Sequence, residues 1–186
     1  YPLFCAVVYA LTHHHQVALL ILQCLIGAAA CLQVRAIGNH VFPAHPSAAD
    51  AGAWLVAFHP PLIFYSSLLH TLTLDHFAFL WVLWAWLRFR QEPTGIMALH
   101  VGLAGGFALL SRGTILPFLL LTTLWFYWEF RDRPQKTLAL LGLMGFTTGV
   151  VVAPWLIRNA SHLHRFPIFI TSASQSLWQG NNPLAS

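Results

Sequence analysis

The sequence is built from apolar runs too long and too continuous for a soluble core. Residues 17–34 read VALLILQCLIGAAACLQV and contain no charged residue. Such runs lack the 3.6- or 2-residue periodicity by which a soluble helix or strand keeps one face polar. Only 8% of the chain is charged, against 58% hydrophobic. Soluble domains carry about 25% charged residues, so water cannot be the solvent for most of this surface. The expected fold class is all-α: a polytopic transmembrane helix bundle.

A spanning helix needs about 20 mostly apolar residues. Six segments qualify, at 17–34, 49–67, 72–88, 95–111, 114–130 and 137–157. Residues 95–130 are read as two helices, because one helix of that length would run about 54 Å through a hydrocarbon core of about 30 Å. Ser111-Arg112-Gly113-Thr114 divides them: glycine permits a reversal, and an arginine is costly at the bilayer centre. Residues 1–16 are expected to form an interfacial or truncated helix and an outer loop. Residues 17–157 form the six-span bundle, and residues 158–186 an outer loop. The start at Tyr1 inside an apolar stretch, without a signal-peptide pattern, reads as an internal fragment of a larger protein.

Charge tests the count. Six spans place Arg35, Arg88, Arg90, Arg131, Arg133 and Lys136 on one side, six of the nine basic residues. Arg112, Arg158 and Arg165 fall on the other. The positive-inside rule makes the first side cytoplasmic and puts residues 67–71, 111–113 and 158–186 outside. Trp125, Tyr127, Trp128 and Trp155 near span ends suit interfacial belts. The basic residues form no continuous face, which argues against a nucleic-acid partner.

Cys24 and Cys31 are seven residues apart on one helix, about 10 Å along its axis, too far to be bridged. With Cys5 they read as packing residues. His13-His14-His15 reads as a solvated loop, since consecutive helical residues diverge by about 100° and chelate poorly. His59 and His100 read as hydrogen-bonded interior residues.

Asp75 is the most informative residue, because carboxylates in membrane helices face a bundle interior or a watery cavity. With His70 and His76 nearby, it reads as a general base, a metal ligand or a phosphate-site organiser, or else as an interfacial Asp at the helix mouth. Arg112, and Arg158 with Asn159, lie at outer helix ends. There a guanidinium can grip a phosphate bidentately or simply snorkel to headgroups. Trp178 followed by Asn181 and Asn182 reads as a sugar platform, ring against the sugar face and amides to its hydroxyls, or as a plain interfacial turn.

Several motifs, in order, resemble one family. Ala153-Pro154-Trp155-Leu156-Ile157-Arg158-Asn159, then Arg165-Phe166-Pro167-Ile168, then Leu177-Trp178-Gln179-Gly180-Asn181-Asn182-Pro183 are similar to the PW-IRN, F-P and LW-GNNP pattern of bacterial membrane glycosyltransferases. These belong to the superfamily of dolichyl-phosphate-mannose protein mannosyltransferases (glycosyltransferase family 39) and aminoarabinose transferases, with the GT-C fold. Tyr1-Pro2-Leu3-Phe4, His59 to Ser66, and Leu110 to Thr114 resemble further family segments, so the likeness covers nearly the whole chain.

The resemblance implies transfer of a sugar from a polyprenyl-phosphate donor to a glycan, lipid or protein acceptor. It implies a multi-pass protein of the bacterial inner membrane whose periplasmic face is active. Arg112 and Arg158 would bind the donor phosphate, and Asp75 would serve the acidic site. His70, Asn159, Trp178, Asn181 and Asn182 would bind substrate, and the leaving phosphate would be stabilised by basic residues or a divalent metal. The family's principal catalytic Asp lies in the first outer loop, which would precede Tyr1, so the isolated segment is expected to be inactive. Leu72 occupies a position where the family often has an acidic residue, and Arg112-Gly113 stands where the family has Arg-Pro. The alternatives are a transporter or flippase, and a non-catalytic membrane scaffold.

Overall fold

A computed structural model describes residues 1–163, 178 and 180–182, and among these no strand occurs. The elements are α1 (Pro2–Thr12), α2 (Gln16–Val41), α3 (Pro46–Ala57), α4 (Pro60–Ser66), α5 (Leu72–Gln91), α6 (Gly95–Ser111), a 3₁₀ turn (Gly113–Ile115), α7 (Leu116–Glu129) and α8 (Pro134–Leu163). Proline opens α1, α3, α4 and α8, where its missing N–H costs nothing and its fixed φ suits a first turn. Thr94 caps α6, its hydroxyl accepting from the Met97 N–H at 3.3 Å, which satisfies one of the free amides at a helix start. The α1–α2 turn uses left-handed His13 and His14, at φ 51° and 65°, as a polar loop there requires.

The all-helical class is as the sequence predicts. Two helices, Gln16–Val41 and Pro134–Ser161, are long and apolar enough to cross a membrane among the described residues. They contain the expected spans 17–34 and 137–157. Helix α6 has the expected bounds, and α5 runs one turn beyond residue 88.

The expected continuous helix over 49–67 is not formed. It is broken into α3 and α4 at Phe58 and His59. The cause is Pro60-Pro61. A proline disfavours helical ψ in the residue before it, and His59 is extended at ψ 111°. The 12 residues of α3 reach about 18 Å. The span over 114–130 is likewise shortened, because its first residues form the 3₁₀ turn and leave 14 residues in α7.

Close backbone packing joins α6 to α8. A methyl added at Gly102 would sit 2.6 Å from the Met144 carbonyl oxygen, and one at Gly106 would sit 2.6 Å from Val151 Cβ. Small residues four apart let helices approach where lipid supplies no hydrophobic drive. The Thr148 hydroxyl uses that proximity to donate to the Gly102 carbonyl at 3.1 Å. Gly38 does the same for α2 and α3, since its Cβ would lie 2.7 Å from Ala49 Cβ. The core between α5, α6, α7 and α8 holds Val82, Ala85, Phe89, Val101, Ala104 and Phe126.

Direction then fixes which ends meet. Gly102 meets Met144 and Thr147 while Gly106 meets Val151, so α6 and α8 run the same way. Asp75 contacts Ser111 and Trp81 contacts His100, so α5 runs opposite to α6. The start of α5 and the end of α6 therefore share one end of the bundle. The ends of α5 and α7 share the other, where Phe89 stacks on Phe126 at 4.5 Å.

Overpacking a tight helix contact costs about 1–3 kcal/mol. Gly106→Val should lower stability by about that much, measured by reversible unfolding in mixed micelles. Gly145→Ala should change it little, because nothing lies within 4 Å of a Cβ there.

Candidate functional site

The site forms where α5 begins and α6 ends. Asp75 lies in the first turn of α5, and its N–H donates to the Thr71 carbonyl at 3.0 Å. A carboxylate there is favoured by the positive end of the helix dipole. Its side chain is only 11% exposed, and a buried charge needs matched partners. Ser111, the last residue of α6, donates its hydroxyl to Asp75 Oδ1. Arg112 places Nη1 3.7 Å from Asp75 Oδ2. Oδ1 thus accepts a hydrogen bond, whereas Oδ2 is buried without a hydrogen-bond partner among the described residues and has only this longer ion contact with Arg112.

Arg112 itself is extended, at φ −153° and ψ 117°. Its N–H closes α6 on the Ala108 carbonyl at 2.8 Å, and its carbonyl accepts from Ile115 at 3.3 Å. The reversal predicted at Ser111–Thr114 is present, but no left-handed glycine makes it: among the described residues no glycine has positive φ. An extended Arg112 followed by the 3₁₀ turn does the work. The guanidinium is 57% exposed and borders a cavity of about 250 Å³ that Asp75, Phe79, Thr114 and Phe118 also line. The Phe79 and Phe118 rings lie 5.3 Å apart. An exposed cation thus stands beside an aromatic-walled cavity, anchored by a buried anion.

The other predicted residues are placed differently. His70 serves the chain rather than the cavity. Its Nδ1 accepts from the Leu72 N–H at 3.1 Å, its carbonyl accepts from Gln23 Nε2 at 2.9 Å, and its ring lies 4.7 Å from Tyr65. Arg158 is exposed on α8 and donates to Asn159 Oδ1 at 3.5 Å. It makes no salt bridge with Asp75. Asn159 is buried. Trp178 is 61% exposed, Asn181 is exposed and Asn182 half-buried. Arg165 to Ile168, Leu177, Gln179 and Pro183 lie outside the described residues.

Two features, at Ser111 and His76, were not anticipated. Ser111 completes the Asp75 site; its signal was a hydroxyl at a helix end next to an arginine. His100, expected as a hydrogen-bonded interior residue, accepts from Trp81 Nε1 at 2.9 Å, which gives partners to two polar groups inside the α5–α6 contact. His76, on another face of α5, borders a second cavity of about 350 Å³ with Cys24, Cys31, Thr73 and Ser66. Among the described residues, no group of three or more His, Cys, Asp or Glu side chains is gathered so as to hold a metal ion.

Comparison with known proteins adds no relative. No family model matches the chain, and neither a curated protein nor a solved structure matches it.

Ser111→Ala strands a buried carboxylate oxygen. It should cost about 1–3 kcal/mol in the same unfolding assay. Arg112→Ala, which removes an exposed partner, should cost less than about 1 kcal/mol.

Proposed function

We propose that the chain is the transmembrane portion of a glycosyltransferase that moves a sugar from a polyprenyl-phosphate donor to an acceptor at the outer membrane face. The observation that carries this reading is the exposed Arg112 guanidinium, anchored by the buried Asp75 and standing at an aromatic-walled cavity. A lipid-linked phosphate presents those two needs together: a charged group to grip and an apolar chain to seat. The motif order from Tyr1 to Pro183 supports the same reading, as does the gathering of Asp75 and Arg112 at one bundle end.

In this reading six spans cross the bacterial inner membrane. Helices α3 and α4 together make one broken span, and α5, α6 and α7 are the spans between the two long helices. The Asp75–Arg112 end faces the periplasm. Arg112 holds the donor phosphate through its outward N–H edge, and Arg158 supplies a second cation on α8. Trp178, Asn181, Asn182 and Asn159 bind the sugar. The acceptor hydroxyl gives its proton to a carboxylate supplied from the first outer loop of the family. Its oxygen then bonds to the anomeric carbon with inversion, and the bond to the phosphate oxygen breaks with its electron pair staying on polyprenyl phosphate. Positive charge at that oxygen lowers the barrier. Asp75 acts here as the residue that positions Arg112 through their ion pair, and its Oδ2, which has no hydrogen-bond partner among the described residues, leaves it open to serve the acidic site as well. A divalent metal is the other means of stabilising the leaving phosphate.

The break at His59 favours a second reading. Transporters bind substrates at discontinuous helices near the midplane, and a flippase for the same lipid-linked sugar would use Arg112 for loading only.

Transfer from radiolabelled polyprenyl-phosphate sugars by the full protein separates the two. Arg112→Ala should lower kcat/KM on the order of 100-fold, the effect of removing one charge-stabilising donor. Label that crosses the bilayer but never becomes attached to an acceptor would select the transporter instead. Topology has its own check. A cysteine placed at Thr114 in a cysteine-free background should react with a membrane-impermeant maleimide from the periplasmic side, and one at Gln135 should not. Equal reaction at both would overturn the six-span arrangement.

A further inference from the structure

The bundle end opposite Asp75 carries a repeated arrangement. Arg88 lies over the Trp84 ring with its Cζ 5.8 Å from the centroid, Arg90 over Trp125 at 4.9 Å, and Arg131 over Trp128 at 5.8 Å. A guanidinium is attracted to a ring face within about 6 Å. Held that way, it keeps its N–H edge available for a planar anion.

The three are not equivalent. Arg90 donates to both carboxylate oxygens of Glu129, at 2.7 to 3.1 Å, so its edge is occupied. Arg88 and Arg131 are exposed, and among the described residues neither has a carboxylate within 4.0 Å. Five basic residues (Arg88, Arg90, Arg131, Arg133, Lys136) stand at this end with three acidic ones (Glu92, Glu129, Asp132), which leaves it net positive.

The surface beside them is apolar. Leu121 and Leu124 are 66% and 65% exposed and stand one turn from Trp125 and Trp128, on the same side of α7. An anion that meets Arg131 there meets exposed leucine immediately beyond the tryptophan. That sequence of surfaces (cation, indole, leucine) matches a headgroup phosphate, the glycerol level and an acyl chain. A soluble anion would leave the leucines and rings uncovered.

We propose that this belt binds the headgroup of an anionic phospholipid, with Arg88 and Arg131 holding phosphate and Trp84 and Trp128 fixing their depth. The inference rests on the reading of the chain as membrane-spanning, and that reading is tested separately by retention in the membrane after carbonate washing. It is independent of sugar transfer. A basic residue near an anionic surface contributes about 1 kcal/mol, or about fivefold in affinity.

The test is native mass spectrometry of the full protein taken from nanodiscs of mixed phosphatidylglycerol and phosphatidylcholine. Phosphatidylglycerol should be retained in preference. Arg88→Gln with Arg131→Gln should cut that preference about 25-fold, about fivefold for each cation. Trp84→Leu with Trp128→Leu should cut it several-fold although no charge is lost, a result that net charge alone does not produce. Arg35→Gln, where the arginine already pairs with Asp50 at 2.5 Å, should leave it unchanged. Equal retention of the two lipids, an unchanged preference in the double arginine variant, or equally potent displacement by inorganic phosphate would overturn the proposal. A protein that stays in carbonate-washed membranes yet shows no lipid preference refutes this inference and leaves the membrane reading standing.

Discussion

A carboxylate at 11% exposure in so apolar a chain must be matched, and the matching organises one end of the bundle. Asp75 lies in the first turn of α5, while Ser111 ends α6 and Arg112 caps it, so the Ser111 hydrogen bond and the Arg112 ion pair to the carboxylate pin two antiparallel helices at that end. The same contact anchors an exposed guanidinium beside the Phe79–Phe118 cavity. Fold and site are therefore one problem: the charge that would be costly alone becomes the support for an exposed guanidinium.

The opposite end solves the same problem with exposed partners. Arg90 is held by Glu129 and by the Trp125 face, and the stacked Phe89 and Phe126 rings close the core beneath. Between the two ends, Gly102 and Gly106 let α6 lie on α8. No charge is needed in that middle layer, and the Trp81–His100 hydrogen bond gives partners to two polar groups there.

Much of this was legible in the residues, and the rest was not for physical reasons. Helix class follows from apolar run length, and the end of α6 at Ser111 follows from a helix too long for its medium. Once 72–88 and 95–111 are read as neighbours joined by a short turn, Asp75 and Arg112 must come near each other. The α3–α4 break was written in Pro60-Pro61, but a hydropathy window averages over two prolines and reads a continuous span. The pairing of Arg90 with Glu129 spans 39 residues, and nothing local announces it. The hydrogen bond of Arg158 to its own neighbour Asn159 is likewise not announced by the motif that the two residues share.

The central claim is that Arg112, anchored by Asp75, receives a lipid phosphate. Photo-crosslinking tests it most directly, using a polyprenyl phosphate with a diazirine close to the phosphate and mapping the attachment on the full protein. The account predicts attachment within residues 111–118 and on the first turns of α5, lost in Arg112→Ala. Attachment spread along the lipid-exposed helices, or unchanged in Arg112→Ala, would contradict it.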